Sequence, residues 1–256
     1  MSTYIYGIVP SPQPDPPHLQ DGPRGTSGID GIDGMAGIGE PPLPVRIVRR
    51  GALAALVSDA PADLEPHQQR DLLAHQNVLV EAGARGSVLP MRFGSLASDD
   101  EAVLAVLAQH ADHYAERLRA LERRVEYSVR ASHNERAVLH QILAENPELR
   151  AMVDADQLAG CGGGHEQRLR LDERVAATIR ARESSDADHV RRALEATTEA
   201  VRAGPEGTGW PADLSFLVHR DTAVGFLSAI AELRADQTHL DLRVRGPLPP
   251  YSFVDE

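Results

Sequence analysis

The sequence contains no lysine, because all 26 basic side chains are arginine. A P-loop ends in lysine followed by serine or threonine, so this absence excludes that class of nucleotide site. Cysteine occurs once, at Cys161, which excludes an internal disulfide and fits a reducing compartment. No apolar run is long enough to span a bilayer, and the first residues carry no signal-peptide pattern. We therefore expect a cytoplasmic protein.

Positive charge is also in deficit, since 38 acidic residues outnumber the basic ones and the net charge is −12. Nucleic acid and anionic membranes both attract basic surfaces, so neither is predicted as a partner. Apolar residues make up 42% of the 256 positions, which is enough for a folded core. The length favours one large or two medium domains.

The first half of the sequence predicts a mixed α/β domain over residues 1–121. Aromatic and β-branched residues at 4–9 predict a strand, whereas proline, glycine and aspartate dominate residues 10–44 and predict a flexible loop. Residues 45–58 predict a hairpin whose second strand, apolar on both faces, lies centrally in a sheet. Residues 66–84 predict a helix. Its expected buried face consists of leucine and valine pairs one heptad apart, Leu72, Leu73, Leu79 and Val80.

One apolar stretch, residues 87–94, combines strand-like alternation with a proline and an arginine. Because proline donates no hydrogen bond to a sheet ladder, we expect an edge strand or a bulged one. Alternation directs one set of side chains to the core and the other set to the opposite face. The expected core set is Leu89, Met91 and Phe93, and the opposite set is Val88, Pro90 and Arg92.

A long helix is predicted after this stretch, with Ser98 as its cap and Glu101 completing a capping box. Its expected buried stripe is Val103, Leu107, His110, Tyr114, Leu118 and Leu121. His110 and His113 stand three apart, as two zinc ligands can, but no cysteine or Glu-x-x-His pattern accompanies them. No metal site is predicted there.

Residues 122–256 predict a second domain with its own sheet. Strict alternation at 124–131 predicts a half-buried strand, and Asn134 is the expected cap of the next helix. Residues 146–204 predict a helical insertion that includes two helices packed as a hairpin. Further along, residues 214–218 and 240–244 predict strands on either side of a helix.

The last segment, residues 246–256, contains three prolines and predicts a stiff, extended tail. Because Tyr251 and Phe253 are large and apolar, we expect them to pack against the protein's own body. Elsewhere, Cys161 lies in a glycine run that lacks an activating partner, and Arg92 is interpreted as structural. No catalytic, cofactor-binding or metal-binding residue is predicted.

Five segments resemble the gas vesicle synthesis protein L/F family, in the family's order and from end to end. They read YIYGIV at 4–9, LAALVSD at 53–59, VLPMRFG at 88–94, LSFLV at 214–218 and GPLPPYSF at 246–253. The third and fifth blocks are the most specific. Residues 10–44 form a longer loop than the family pattern has.

The resemblance implies an α+β fold with two domains, an N-terminal mixed α/β domain and a C-terminal modified ferredoxin-like domain with extra helices. It also implies a non-enzymatic accessory or minor structural protein of gas vesicles, located at these cytoplasmic buoyancy shells and without a cofactor. The implied partners are the shell protein and other gas vesicle accessory proteins. Both an assembly chaperone and a component of the finished vesicle fit, as do the F and L subgroups.

The edge strand and the apolar tail are the elements that we expect to bind a partner. The candidate partner-binding residues are Val88, Pro90, Arg92, Tyr251 and Phe253. The alternative function is that of a ferredoxin-like ligand-binding domain or enzyme, which would require a deep pocket with a polar cluster.

Overall fold

The structure, a computed structural model, describes residues 2–11, 31–61, 69–159, 165–204 and 210–254. The chain forms two compact units. The first unit is Met1–Glu126 together with Pro247–Glu256, and the second is Tyr127–Gly246. Each unit contains one sheet with helices, which confirms the predicted α+β class. None of the described helices is long and apolar enough to cross a membrane.

The sheet of the first unit has five strands in the order β2-β3-β1-β4, with β5 also paired to β1. The strands are β1 (Thr3–Pro10), β2 (Arg46–Arg50), β3 (Leu53–Asp59), β4 (Leu89–Pro90) and β5 (Leu96–Ala97). Gly51, at φ 60°, makes the tight turn between β2 and β3. The central position predicted for β3 and the edge position predicted for the proline-containing segment are both confirmed.

The described part of the first unit contains three α-helices: α1 (Gln69–Arg85), α2 (Asp100–Gln109) and α3 (Ala111–Ala120). The prediction of one long helix after residue 98 is wrong, because the first helix ends at Gln109 and a second begins at Ala111. The side chain of His110, between them, is exposed. Ser98 is not the cap. Asp99 takes that role, since its carboxylate accepts a hydrogen bond of 2.8 Å from the backbone N–H of Ala102.

Helix α1 buries a face that shares only Leu79 with the predicted one. Leu72, Leu73 and Val80 are between 41% and 50% exposed. The buried residues are Asp71, His75, Val78, Leu79, Ala82 and Gly83. Polar side chains occupy the inner face because they have specific hydrogen-bond partners there; Asp71, for example, accepts a bond of 3.0 Å from the N–H of Gly39.

Part of the predicted flexible loop is packed in the structure. Ile32 and Ile38 are fully buried in the core cluster of the first unit, and Ala36 forms a β-bridge with Pro44. The prediction of flexibility therefore fails for residues 31–44. Proline, glycine and aspartate dominate the composition of the segment, but its two isoleucines bury enough apolar surface to pack it against the core. Residues 12–30 lie outside the described part of the chain.

The second unit is built on a four-stranded sheet in the order β7-β8-β6-β9. In chain order its elements are β6 (Arg124–His133), α4 (Glu135–Glu145), α5 (Pro147–Ala159), α6 (His165–Glu195), β7 (Ala200–Ala203), β8 (Ala212–His219), α7 (Ala223–Asp236) and β9 (Leu240–Leu248). Asn134 caps α4 as predicted, accepting a bond of 3.1 Å from the N–H of Ala137.

The predicted helical hairpin is a single helix, α6, of 31 residues. It contains no proline or glycine, so nothing in it interrupts the backbone hydrogen bonds. Residues 200–203, expected to be helical, form strand β7 because they pair with β8. Beside the sheet, Val138, Ile142, Leu149 and Leu171 form a small apolar cluster that joins α4, α5 and α6.

Candidate partner-binding edge and a buried histidine cluster

The core of the first unit contains a hydrogen-bonded pair, Tyr4 and His75. The carbonyl oxygen of Met91 lies 3.1 Å from Nε2 of His75 and can only accept, so Nε2 carries the ring proton. Nδ1 is then an acceptor, and the hydroxyl of Tyr4 donates to it over 2.8 Å. The 87–94 stretch is thus tied to α1 and β1 through one histidine.

Aromatic rings surround this pair. The ring centroids of Tyr4 and Tyr6 are 4.9 Å apart, and that of Phe93 lies 5.9 Å from Tyr4. The hydroxyl of Tyr6 accepts a hydrogen bond of 2.9 Å from the N–H of Ile38, which fastens the packed loop to β1. These contacts explain why the Tyr-Ile-Tyr strand and the 87–94 stretch belong to one structural unit.

Burial keeps this core neutral. It lowers the pKa of His75 to about 4, against a smaller opposite effect from the hydrogen bond to Met91. Burial also raises the pKa of Tyr4, and the charge of Tyr251 contributes in the same direction.

The structure separates the candidate residues of the 87–94 stretch. Val88 and Pro90 are buried, whereas Arg92 is exposed. Leu89 is buried as predicted, and Met91 and Phe93 are half-buried. Strict alternation ends because only two residues form a strand before the chain turns, with the N–H of Ser95 donating to the carbonyl of Arg92 over 3.1 Å.

The tail packs against the first unit through three hydrogen bonds. Its Ser252 donates from both its N–H and its hydroxyl to the carboxylate of Glu126, each over 2.8 Å. The guanidinium of Arg117 donates to the carbonyl of Phe253 over 2.7 Å. Phe253 is 1% exposed and Tyr251 is 36% exposed, so only the tyrosine offers substantial surface.

Three exposed side chains come from the segment around β4 and β5 and from the tail, and we call them the edge patch: Arg92, Leu96 and Tyr251. Leu96 stands directly opposite Tyr4 in the pairing of β1 with β5 and is 52% exposed. Arg92 precedes Phe93, whose ring contacts Tyr4. The 88–94 block therefore contacts Tyr4 through Phe93, and Leu96 adds a residue that the sequence did not single out.

A second site, in the second unit, was not predicted at all. One carboxylate oxygen of Asp186 lies 2.8 Å from Nε2 of His133 and 2.8 Å from Nε2 of His239. Each histidine is 53 residues from Asp186 along the chain, so no local spacing reveals the cluster. The only available signal is topological, since His133 ends β6 and His239 directly precedes the neighbouring strand β9.

The electrostatics of this cluster favour a charged carboxylate. Burial acts to raise the pKa of Asp186, but hydrogen bonds from His133 and His239 outweigh it and leave the pKa lowered. Arg182 supports the same direction, because its Nε lies 3.2 Å from both carboxylate oxygens. Among the described atoms, Nδ1 of each histidine is buried and has no hydrogen-bond partner.

The first unit also has a shallow cleft of about 300 Å³ between the packed loop and α1. Its lining includes Gly37, Pro42, Leu73 and Asp71. The carboxylate of Asp71 is already engaged by the N–H of Gly39 and by Arg70. Asn77 and Arg70 also line the cleft, but its one carboxylate is engaged within the protein.

The described fold matches that of proteins from gas vesicles. The crystal structure of the gas vesicle protein GvpF from Anabaena sp. PCC7120 is similar over 100% of this chain and 98% of that chain, with a TM-score of 0.75 and 20% identity. The GvpF structure from Microcystis aeruginosa gives a TM-score of 0.68 and 23% identity, over 100% and 99% of the two chains.

Sequence comparison agrees with the fold. A curated relative, gas vesicle protein F of Streptomyces sp. (strain CB03234), is 56% identical over 255 residues, covering 100% of both chains. The profile of the family described as gas vesicle synthesis protein GvpL/GvpF matches residues 2–255. The chain belongs to this gas vesicle synthesis protein family, which confirms the resemblance seen in the sequence.

Proposed function

We propose that the protein is a non-enzymatic accessory factor that binds the gas vesicle shell protein and helps to nucleate or assemble the vesicle. Family membership supports a role in gas vesicles. The observation that carries the more specific role is the exposure of Leu96 opposite Tyr4, in a strand that follows the 88–94 family block. The edge patch is partly apolar, its Leu96 lies in a short strand paired to β1, and sheet edges are common surfaces for adding a partner.

In this proposal the partner contacts the exposed members of the candidate set, Arg92 and Tyr251, together with Leu96. The buried candidates Val88, Pro90 and Phe253 act indirectly, by holding the edge and the tail in place. An exposed apolar side chain contributes to binding when a partner removes it from water, so Leu96 and Tyr251 are the expected energetic anchors.

We also propose that the second unit is a modified ferredoxin-like domain. Without α5 and α6, its elements follow a β-α-β-β-α-β order, and the last strand β9 lies beside the first strand β6. Helices α5 and α6 then form the insertion predicted at 146–204. The domain boundary predicted between residues 121 and 122 remains part of this proposal.

Co-purification with the shell protein tests the binding role. We expect the wild-type protein to retain the shell protein or another vesicle protein, and Leu96→Asp and Tyr251→Ala to reduce the retained amount about tenfold or more. Leu158→Asp is a matched control, because Leu158 is 90% exposed in the other unit. Thermal melting should show that all three variants remain folded.

Two results would contradict this proposal at different levels. If wild-type protein retains no vesicle protein, the accessory role is wrong. If it does retain one and the edge-patch variants bind as well as the Leu158→Asp control, the role stands but the surface is wrong. Probing intact, washed vesicles for the protein then distinguishes a component of the finished vesicle from an assembly chaperone.

A further inference from the structure

Three segments that are distant in sequence bring His133, Asp186 and His239 together inside the second unit. They come from the end of β6, the middle of α6 and the residue before β9. Their side chains are 6%, 9% and 1% exposed, respectively. Burial of three such polar groups costs free energy unless each polar atom has a hydrogen-bond partner or a metal ion.

We propose that these three residues form a binding site for a divalent transition metal of the zinc class. Each residue offers one ligand atom, and the three atoms lie within 4.8 Å of one another. Two imidazole nitrogens and one carboxylate oxygen form a donor set that zinc accepts in proteins, with a fourth position left for water or the second carboxylate oxygen.

The present distances are close to those that a metal needs. Ligand atoms around tetrahedral zinc are about 3.3 Å apart, given bond lengths of about 2.0–2.1 Å. Each imidazole nitrogen now lies 2.8 Å from the carboxylate oxygen. The two nitrogen–oxygen separations therefore have to open by about 0.5 Å, and the two imidazole nitrogens, which lie within 4.8 Å of each other, have to come closer together.

Hydrogen bonds within the cluster do not satisfy it. Both histidines direct Nε2 at the same oxygen of Asp186, and both Nδ1 atoms are buried without a partner among the described residues. A metal would use the lone pair of each Nε2 and leave the ring proton on Nδ1, so the proposed site also requires a hydrogen-bond acceptor, such as an ordered water, beside each Nδ1. The bridging hydrogen bonds thus occupy the place that a cation would take.

The charge around the cluster also favours a cation. Arg182 bonds to Asp186 over 3.2 Å and to the carboxylate of Glu145 over 2.7 Å, so two carboxylates share one guanidinium. The formal charges of these three side chains sum to −1, and the Glu145 side chain is 60% exposed to solvent. Arg182 also fixes the orientation of Asp186, as groups bonded to metal-binding carboxylates do.

The expected role of the metal is structural. It joins β6, α6 and the start of β9, so a bound metal stabilises the second unit by mass action. This inference is independent of the proposed contact with the shell protein, which uses residues of the first unit.

Metal titration of the full-length, tag-free protein tests the site. After treatment with a chelator, we expect one equivalent of Zn²⁺ to bind and to raise the Tm by about 5–10 °C at saturation. Co²⁺ should give the visible absorption bands of a four-coordinate site. His239→Gln and His133→Gln should lose the bands and the Tm shift, whereas His189→Ala, an exposed histidine on the same helix as Asp186, should keep both.

Two outcomes would overturn the proposal. The first is a wild-type protein that shows neither the Co²⁺ bands nor a Tm shift with Zn²⁺, a result that needs no variant. The second is a signal that persists in His239→Gln or disappears in His189→Ala, since the metal would then sit on surface histidines. Circular dichroism identifies any variant that fails to fold, in which case the wild-type titration decides.

Discussion

Acidification should destabilise the first unit through His75. This side chain is 3% exposed, and burial lowers its pKa to about 4, whereas the unfolded chain has the ordinary value of about 6.5. Between about pH 6.5 and about pH 4, His75 is therefore protonated in the unfolded state and neutral in the folded state. Stability is fully present above that pH, falls as the pH drops towards about 4, and does not fall further for this group below it.

The size of the effect follows from the two pKa values. A shift from 6.5 to about 4 corresponds to about 3 kcal/mol in total, at about 1.4 kcal/mol per unit. Between about pH 7.5 and about pH 5 the wild-type protein should lose about 2 kcal/mol through this histidine. Urea unfolding at both pH values measures the free energy of unfolding directly.

A difference between variants isolates His75 from the carboxylates, which also titrate in acid. His75→Gln cannot take up the proton, so its free energy of unfolding should fall by about 2 kcal/mol less than that of the wild type over the same interval. His113→Gln, in which an exposed histidine of the same unit changes, should follow the wild type. If the wild type and His75→Gln lose stability in parallel, the assigned cause is wrong.

Two further predictions concern the tail and a helix cap. A chain that ends at Gly246 loses the buried ring of Phe253 and the three tail hydrogen bonds, so its free energy of unfolding, measured in urea, should fall by about 3 kcal/mol or more. An unchanged midpoint of urea unfolding would show that the tail is not part of the first unit's core. Asp99→Ala should lower the free energy of unfolding by about 1 kcal/mol because it removes the cap of α2, whereas Ser98→Ala should lower it by less than about 0.5 kcal/mol. Thermal melting compares the two variants, and a larger loss in Ser98→Ala would identify Ser98 as the cap.

Much of the sheet in the first unit was predictable because its strands carry local signals. β3 is apolar on both faces, and Pro90 marks the edge strand, since proline cannot donate to a ladder. The face of α1 was not predictable from hydrophobicity. Its inner side contains Asp71 and His75, whose burial depends on partners far away in sequence.

The second unit shows a related limit. Asn134 was correctly predicted as a cap because capping is decided within four residues. The strand Ala200–Ala203 was missed because its pairing with β8, rather than its own pattern, determines its conformation. The buried cluster around Asp186 was missed for the same reason, since its members meet only after three separate segments have folded.

The order in which the chain is synthesised gives the tail a further significance. The first unit comprises Met1–Glu126 and Pro247–Glu256, so its final strip of sequence is translated only after the whole of the second unit. Until then Glu126 and Arg117 have no Ser252 or Phe253 to bind, and the surface that Phe253 covers stays open. A chain that lacks residues 247–256 thus exposes a surface of the first unit that these residues otherwise cover. The packing of the first unit therefore requires residues that are translated after the second unit.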